Sequence, residues 1–296
     1  MKVLLTGATG FIGKVFLSLL SRYGIPVVVL GRHSPEPSSD VSFIPCDLLN
    51  DVDLKEKVIQ AKCSHLVHLA WNVEHGEFWH TADNLDWVAA TCRLTKLFRQ
   101  AGGVAAIFAG SCAEYGRSEQ ILLEHLDYGN PHTLYGVAKD SVRRLVMSFG
   151  EKHQLRCSWA RIFLPYGPCE EPRRIVPSVL TVLSGQRTPF ATELDSKRDF
   201  IHVRDVAEAL WVLVQAGKHD VYNLSSGQAT SISELIQQMA KLLSADASAF
   251  LALGKPDTPA FPVLVGDNSK LLKLGWRPEL SLSAGLSTII TGSKML

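Results

Sequence analysis

The stretch Lys2-Val3-Leu4-Leu5-Thr6 runs directly into Gly7-Ala8-Thr9-Gly10-Phe11-Ile12-Gly13, and an apolar helical pattern starts at Lys14. An apolar run of strand length, a turn with glycine at every third position and then a helix open a βαβ unit. Gly7 permits the tight turn, Gly10 lets backbone N–H groups approach a pyrophosphate with no Cβ in the way, and Gly13 allows the helix to pack closely on the strand. With Thr9, Phe11 and Ile12 these glycines form the expected cradle of a dinucleotide. A merely tight strand-to-helix turn is the plain alternative.

The alternation of strand and helix continues past the turn. After the first strand come the amphipathic Val15–Tyr23, the short β-branched or apolar runs VVVLG and FIPCD, the amphipathic Leu54–Ala61 and the run HLVHLA. Residues 84–100 space Leu85, Val88, Ala89, Cys92, Leu94, Leu97 and Phe98 helically and lead into the strand-like VAAIFAG. A helix over 135–151 and a strand over 158–163 extend the series, which predicts an α/β fold with a doubly wound, Rossmann-like parallel sheet. After Phe163 the proline- and charge-rich PYGPCEEPRR interrupts it, and a smaller C-terminal α/β lobe is expected from there. We assign residues 1–165 to dinucleotide binding and 166–296 mainly to the substrate. Asp205 is expected to cap the helix DVAEALWVLVQA, and Ser231 with Glu234 three residues on reads as a capping box.

Composition narrows the partners. Thirty Lys and Arg against 29 Asp and Glu leave a formal charge of +1, so no global field holds nucleic acid or an anionic membrane, and an anionic ligand must be bound locally. The opening apolar run is too short for a signal peptide or a membrane span, from which we expect a soluble, cytoplasmic protein. The cysteines at 46, 63, 92, 112, 157 and 169 contain no C-x-x-C pair and read as reduced thiols. No metal is expected: H-E-x-x-H is absent, and His65 and His68 fall on opposite faces of one strand.

Two local features suggest chemistry. In TLYGVAK, Tyr135 and Lys139 stand one helical turn apart on one face, where a lysine lowers a phenol's pKa by favouring the phenolate. The bland alternative is a half-buried tyrosine beside a solvated lysine. The second strand ends Leu30-Gly31-Arg32, with arginine where an NAD-specific site offers a carboxylate to the ribose. A guanidinium there can meet a 2′-phosphate, so NADP(H) is favoured over NAD(H), although arginine after a strand is also a common solvated charge.

GATGFIG, the CDL around Asp47, HLAW, GSCAEYG, PHTLYGVAK, RIFLPYGP, RDFIHVRDVAEAL and GWRPELSLSAGL occur in this order over nearly the whole chain. Together they resemble the extended short-chain dehydrogenase/reductase family, in its nucleotide-sugar epimerase, dehydratase and reductase branch. The resemblance implies that Tyr135 is a general acid/base, that Lys139 contacts the nicotinamide ribose, and that Ser111 hydrogen-bonds the reacting oxygen. It implies cofactor contacts from Asp47 and Leu48 and from Leu69 and Ala70, and a supporting role for Asn84. It also implies diphosphate contacts from Arg198, with Arg173 and Arg174 adding to them. Trp71, within the aromatic loop WNVEHGEFWH, and Cys112 are expected against the sugar. His202 and Asp205 look structural, the segment about 198–225 is expected to rejoin the first domain, and a homodimer through the helices near Asn84 and Tyr135 is a family expectation.

Departures narrow the reaction. Where 4,6-dehydratases carry an acid pair after the catalytic Ser or Thr, this chain has Cys112 and Ala113, and Glu114 comes one residue late. Leu164 replaces an asparagine common in the epimerases. We therefore expect an NADPH-dependent reductase of a nucleotide-linked 4-keto-6-deoxysugar. A 4-epimerase with tightly held cofactor and a catalytically silent NADP(H)-binding regulator are the alternatives.

Overall fold

The computed structural model describes residues 1–126, 130–254 and 262–292. In chain order its first half runs β1 (Val3–Thr6), α1 (Phe11–Arg22), β2 (Val27–Gly31), β3 (Val41–Pro45), α2 (Leu54–Ala61), β4 (His65–His68), α3 (Asp83–Gln100), β5 (Ala105–Ser111), α4 (Leu134–His153) and β6 (Arg156–Ile162). The second half runs β7 (Leu164–Tyr166), α5 (Ile175–Leu183), β8 (Lys197–Arg198), β9 (Phe200–His202), α6 (Val203–Ala216), β10 (Asp220–Leu224), β11 (Thr230–Ser231), α7 (Ile232–Leu243), α8 (Ser248–Leu251), β12 (Val263–Leu264), α9 (Ser269–Leu272) and α10 (Leu282–Ile290).

Seven strands form one sheet in the order β10-β6-β5-β4-β1-β2-β3, and every pair in it is parallel. Both faces are covered, so the central strands are largely apolar and successive residues feed opposite layers. Val3 and Leu5 of β1 and Val27 and Val29 of β2 join Phe16 and Leu20 of α1 and Leu210 and Leu213 of α6 on one side. Leu4, Val28 and Leu30 join Leu94 and Phe98 of α3 and Val142 and Val146 of α4 on the other. The order reverses between β1 and β4, and the crevice outside the carboxyl ends of these strands is where such sheets bind ligands.

A separate cluster gathers Val176 and Val179 of α5, Leu235, Ile236 and Met239 of α7, and Phe250 and Leu286. Beside it stand a three-stranded sheet, β11-β8-β12, and the pair β7-β9. Ser231 and Glu234 form the expected capping box at the start of α7.

The start of α6 differs from expectation. His202 is the cap, its Nδ1 accepting from the backbone N–H of Arg204 at 3.2 Å. Asp205 lies inside the first turn and turns toward the C-terminal segment, where its carboxylate accepts from the N–H groups of Glu279 and Leu280 at 3.0 and 3.3 Å. An acidic side chain in a first turn can satisfy N–H groups of another segment as readily as those of its own helix.

Candidate active site

A cleft of about 1240 Å³ follows the carboxyl edge of the large sheet and extends to the second cluster. Gly7, Thr9, Gly10, Phe11, Ile12 and Gly13 line one end. Gly7 has φ +73°, and a Cβ on it would stand 2.7 Å from the Ala70 nitrogen. A Cβ on Gly13 would stand 2.0 Å from the Gly7 carbonyl oxygen, so the glycine lets α1 close on its own turn. Gly10 precedes α1 with no side-chain cap, which leaves first-turn N–H groups facing the cleft. This cradle and the dipole of a twelve-residue helix fit a pyrophosphate.

Arg32 lies exposed on the cleft wall just past β2. Asp47 and Leu48 also line the cleft, but the Asp47 carboxylate is engaged in its own turn, accepting from the Leu49 N–H at 3.1 Å and from Asn50 Nδ2 at 3.0 Å. Leu69 and Ala70 come just after β4 and line the cleft as well.

Ser111, Tyr135 and Lys139 share the middle of the cleft. Ser111 ends β5 and caps a short 3-10 turn, Cys112–Glu114, accepting from the Ala113 N–H at 3.2 Å. Thr133 caps α4, placing Tyr135 and Lys139 in its first two turns, both buried. The Tyr135 N–H donates to the Trp79 carbonyl at 3.1 Å, so the aromatic loop closes over the start of this helix. Phe78 and Trp79 meet the phenol ring edge-on at 4.9 and 5.9 Å between centroids.

The expected lowering of the phenol by Lys139 does not govern Tyr135. Burial pushes its pKa up, and the Ser111 side chain is the main influence in the other direction. The reason lies in the lysine itself. Its Nζ donates to the Ala109 carbonyl at 2.9 Å, lies 5.8 Å from the phenol ring centroid, and is lowered by burial to about 7, so its charge is weakened near neutral pH. The chain alone therefore presents a protonated phenol.

Sequence spacing missed what holds this site. Glu114, one residue late for the acid pair, sends its wholly buried carboxylate away from the cleft. It accepts from the Ser111 N–H at 2.7 Å, from Trp159 Nε1 at 2.9 Å and from Arg161 Nε at 2.8 Å. Cys112 lines the cleft, its thiol pushed up to about 12 by burial.

Trp71, Arg174 and Arg198 also line the cleft. Arg198 is half-buried beside Glu193, Nη2 to Oε2 at 3.5 Å. Arg173 is not among the lining residues; it is exposed and paired with Glu171, Nε to Oε1 at 2.6 Å, because the start of α5 brings only Arg174 to the wall. Glu170, which spacing did not single out, lines the cleft. Its Oε2 is buried with no hydrogen-bond partner among the described residues, and burial raises the carboxyl to about 8. Among the described residues no helix is long and apolar enough to cross a membrane.

The chain is similar to known proteins over nearly its full length. It is 26% identical to the UDP-glucose 4-epimerase of Corynebacterium glutamicum, covering 94% of this chain and 91% of that one. It is 25% identical to the dTDP-4-dehydro-6-deoxyglucose reductase of Escherichia coli, covering 97% and 96%. Among solved structures, MoeE5 in complex with UDP-glucuronic acid and NAD superposes with a TM-score of 0.84 at 25% identity, covering 98% of both chains. The model of the NAD dependent epimerase/dehydratase family matches residues 3–225. With that match across a doubly wound sheet whose cleft gathers the glycine turn, Ser111, Tyr135 and Lys139, the chain belongs to the NAD dependent epimerase/dehydratase family and is an enzyme of the extended short-chain dehydrogenase/reductase type.

Proposed function

We propose that this enzyme is an NADPH-dependent reductase acting on the 4-keto group of a nucleotide-linked 6-deoxysugar. The observation that carries the reading is the company Tyr135 keeps. It shares the cleft with Ser111 and Lys139, while neither Cys112 nor Ala113 supplies an acid and Glu114 is committed to Arg161. That set protonates an oxygen but offers no carboxylate pair at those positions to drive elimination of water.

The bound dinucleotide would supply the hydride. The glycine turn and the start of α1 would hold its pyrophosphate, and Arg32, with no carboxylate beside it at the end of β2, would meet a 2′-phosphate. Burial favours a phenol that enters the reaction protonated, as a proton donor to a developing alkoxide must be. Ser111 would hydrogen-bond the same oxygen. Arg198 and Arg174, on the cleft wall, would pair with the diphosphate of the sugar nucleotide, and Trp71 would face the sugar. Exposed Leu85 of α3 and Val137 and Leu145 of α4 suit burial in a homodimer.

A second reading is favoured by the relatives, several of which are UDP-glucose 4-epimerases, and by the NAD in the MoeE5 complex. An epimerase oxidises and re-reduces the same carbon with the same three side chains and consumes no cofactor. A panel of CDP-, GDP-, dTDP- and UDP-linked 4-keto-6-deoxysugars, assayed beside UDP-glucose, separates the two. Stoichiometric loss of NADPH absorbance with one of them supports the reductase, whereas conversion of UDP-glucose without net cofactor turnover rejects it.

A further inference from the structure

The ammonium of Lys139 is enclosed on one side by the Ala109 carbonyl, 2.9 Å from Nζ, and on another by the indole of Trp71, whose ring centroid is 3.8 Å away. That ring is fixed. Its Nε1 donates to Asn84 Oδ1 at 3.0 Å, and the amide nitrogen of Asn84 donates to the carbonyls of Phe78 and Thr81 at 2.8 and 2.9 Å. Trp87 stacks on the indole from α3 at 5.9 Å between centroids, and the edge of Tyr135 meets it at 6.3 Å. The asparagine buried at the start of α3 thus reaches the lysine through an aromatic ring. An ammonium over a desolvated indole face is attracted by the ring quadrupole, most strongly for tryptophan.

We propose that Trp71 is a positioning residue for Lys139: its π face serves as the second partner of the buried ammonium, holds Nζ in place beside Tyr135, and favours its charged form. The proposal rests on the reductase reading for what the lysine does in turnover, but not for the contact itself. The other groups around Nζ leave this task open. His68 on β4 is locked between Thr6 and Thr91 and lowered by burial to about 3, so it is neutral. Glu114 favours the charge from the turn after β5, but its carboxylate is taken by Arg161, Trp159 and the Ser111 N–H. Tyr135 on α4 is a neutral phenol, as burial dictates. Burial lowers Lys139, so a contact that favours its charged form acts directly on its protonation.

The test is an NMR titration of the ligand-free chain labelled at lysine Cε, with Lys139→Met identifying the resonance. Trp71→Leu keeps an apolar cover over the amine but removes the quadrupole. Its Lys139 midpoint is expected about one pH unit below the wild type, a tenfold loss of proton affinity, with Trp71→Phe recovering most of it. A midpoint in Trp71→Leu that is unchanged or higher overturns the proposal, since the ring would then act only as a cover. Fluorinated tryptophan supplies a variant without a packing change. Its midpoint is expected to fall with each added fluorine in the wild type and to stay constant in Trp71→Phe, and a wild-type midpoint insensitive to fluorine overturns the proposal. In turnover, the decline of kcat toward high pH should move down with the same midpoint while KM for the dinucleotide changes less. A wild type that consumes no NADPH with any keto-sugar nucleotide would reject the reductase reading and leave the titration result standing.

Discussion

Replacing Glu114 by alanine strips three donors of one acceptor. The carboxylate holds the Ser111 N–H, the Trp159 indole and the Arg161 guanidinium at 2.7 to 2.9 Å, and its side chain is wholly buried. Arg161 is the costly part, because only 6% of its side chain reaches solvent and the substitution leaves a cation facing a cavity. Breaking a buried pair from one side costs about 3–5 kcal/mol. The lower half of that range is expected, since Asp140 at 3.9 Å, the Glu124 carbonyl at 3.4 Å and the face of Tyr115 at 4.3 Å retain part of the compensation. For 296 residues, an unfolding entropy of about 2.1 cal/mol/K per residue turns 3 kcal/mol into a fall in Tm of about 5 °C. Calorimetry on Glu114→Ala measures it directly. The partner test is Glu114→Leu with Arg161→Met: removing both charges should cost less than Glu114→Leu alone. A Tm within about 1 °C of wild type for Glu114→Ala, or a double variant less stable than that single, would refute the assignment of Glu114 as the anchor of the Ser111 turn.

Three more substitutions probe the cleft. Gly13→Ala, whose Cβ would stand 2.0 Å from the Gly7 oxygen, should abolish dinucleotide binding in a fluorescence titration; wild-type affinity would refute the close approach. Arg32→Ala should raise KM for NADPH about tenfold or more and leave NADH unaffected, while equal effects on both would remove Arg32 from phosphate recognition. Glu170→Gln tests the orphaned carboxyl by its pH dependence. The folded carboxyl is raised from 4.5 to about 8, so between these values the native state keeps a proton that the unfolded chain has released, and this group's contribution to stability falls as pH rises. The variant should therefore match wild type at about pH 4 and exceed it by about 1–3 kcal/mol at about pH 9, seen as a higher Tm; the reverse order would show that Glu170 is ionised and paired.

Regular periodicity made the large sheet legible. Strands alternate with helices from Val3 to Ile162 except between β2 and β3, and the first and last glycines of the opening turn each have a local steric task. Tyr135 and Lys139 were legible as a pair because helical spacing alone puts them on one face. What escaped depends on partners far along the chain. Glu114 meets Arg161 across 47 positions, and a 3-10 turn after β5 aims it there. The lysine's effect on the phenol was misjudged for a related reason: helical spacing shows proximity but not burial, and burial outweighs a weakened charge. Asp205 yields the cap to His202 because a donor that its carboxylate satisfies, the Glu279 N–H, lies 74 residues on. Arg173 and Arg174 are adjacent in sequence, yet the helix start separates them into a surface ion pair and a cleft wall.

The proposed chemistry turns on the Tyr135 phenol delivering the proton while other residues hold the dinucleotide. Turnover and dinucleotide affinity, measured side by side on Tyr135→Phe, separate those two tasks. We expect kcat to fall by about 10²–10⁴-fold with a dinucleotide Kd within about twofold of wild type; turnover near the wild-type rate, with Kd equally unchanged, would contradict a proton-donating role for this phenol.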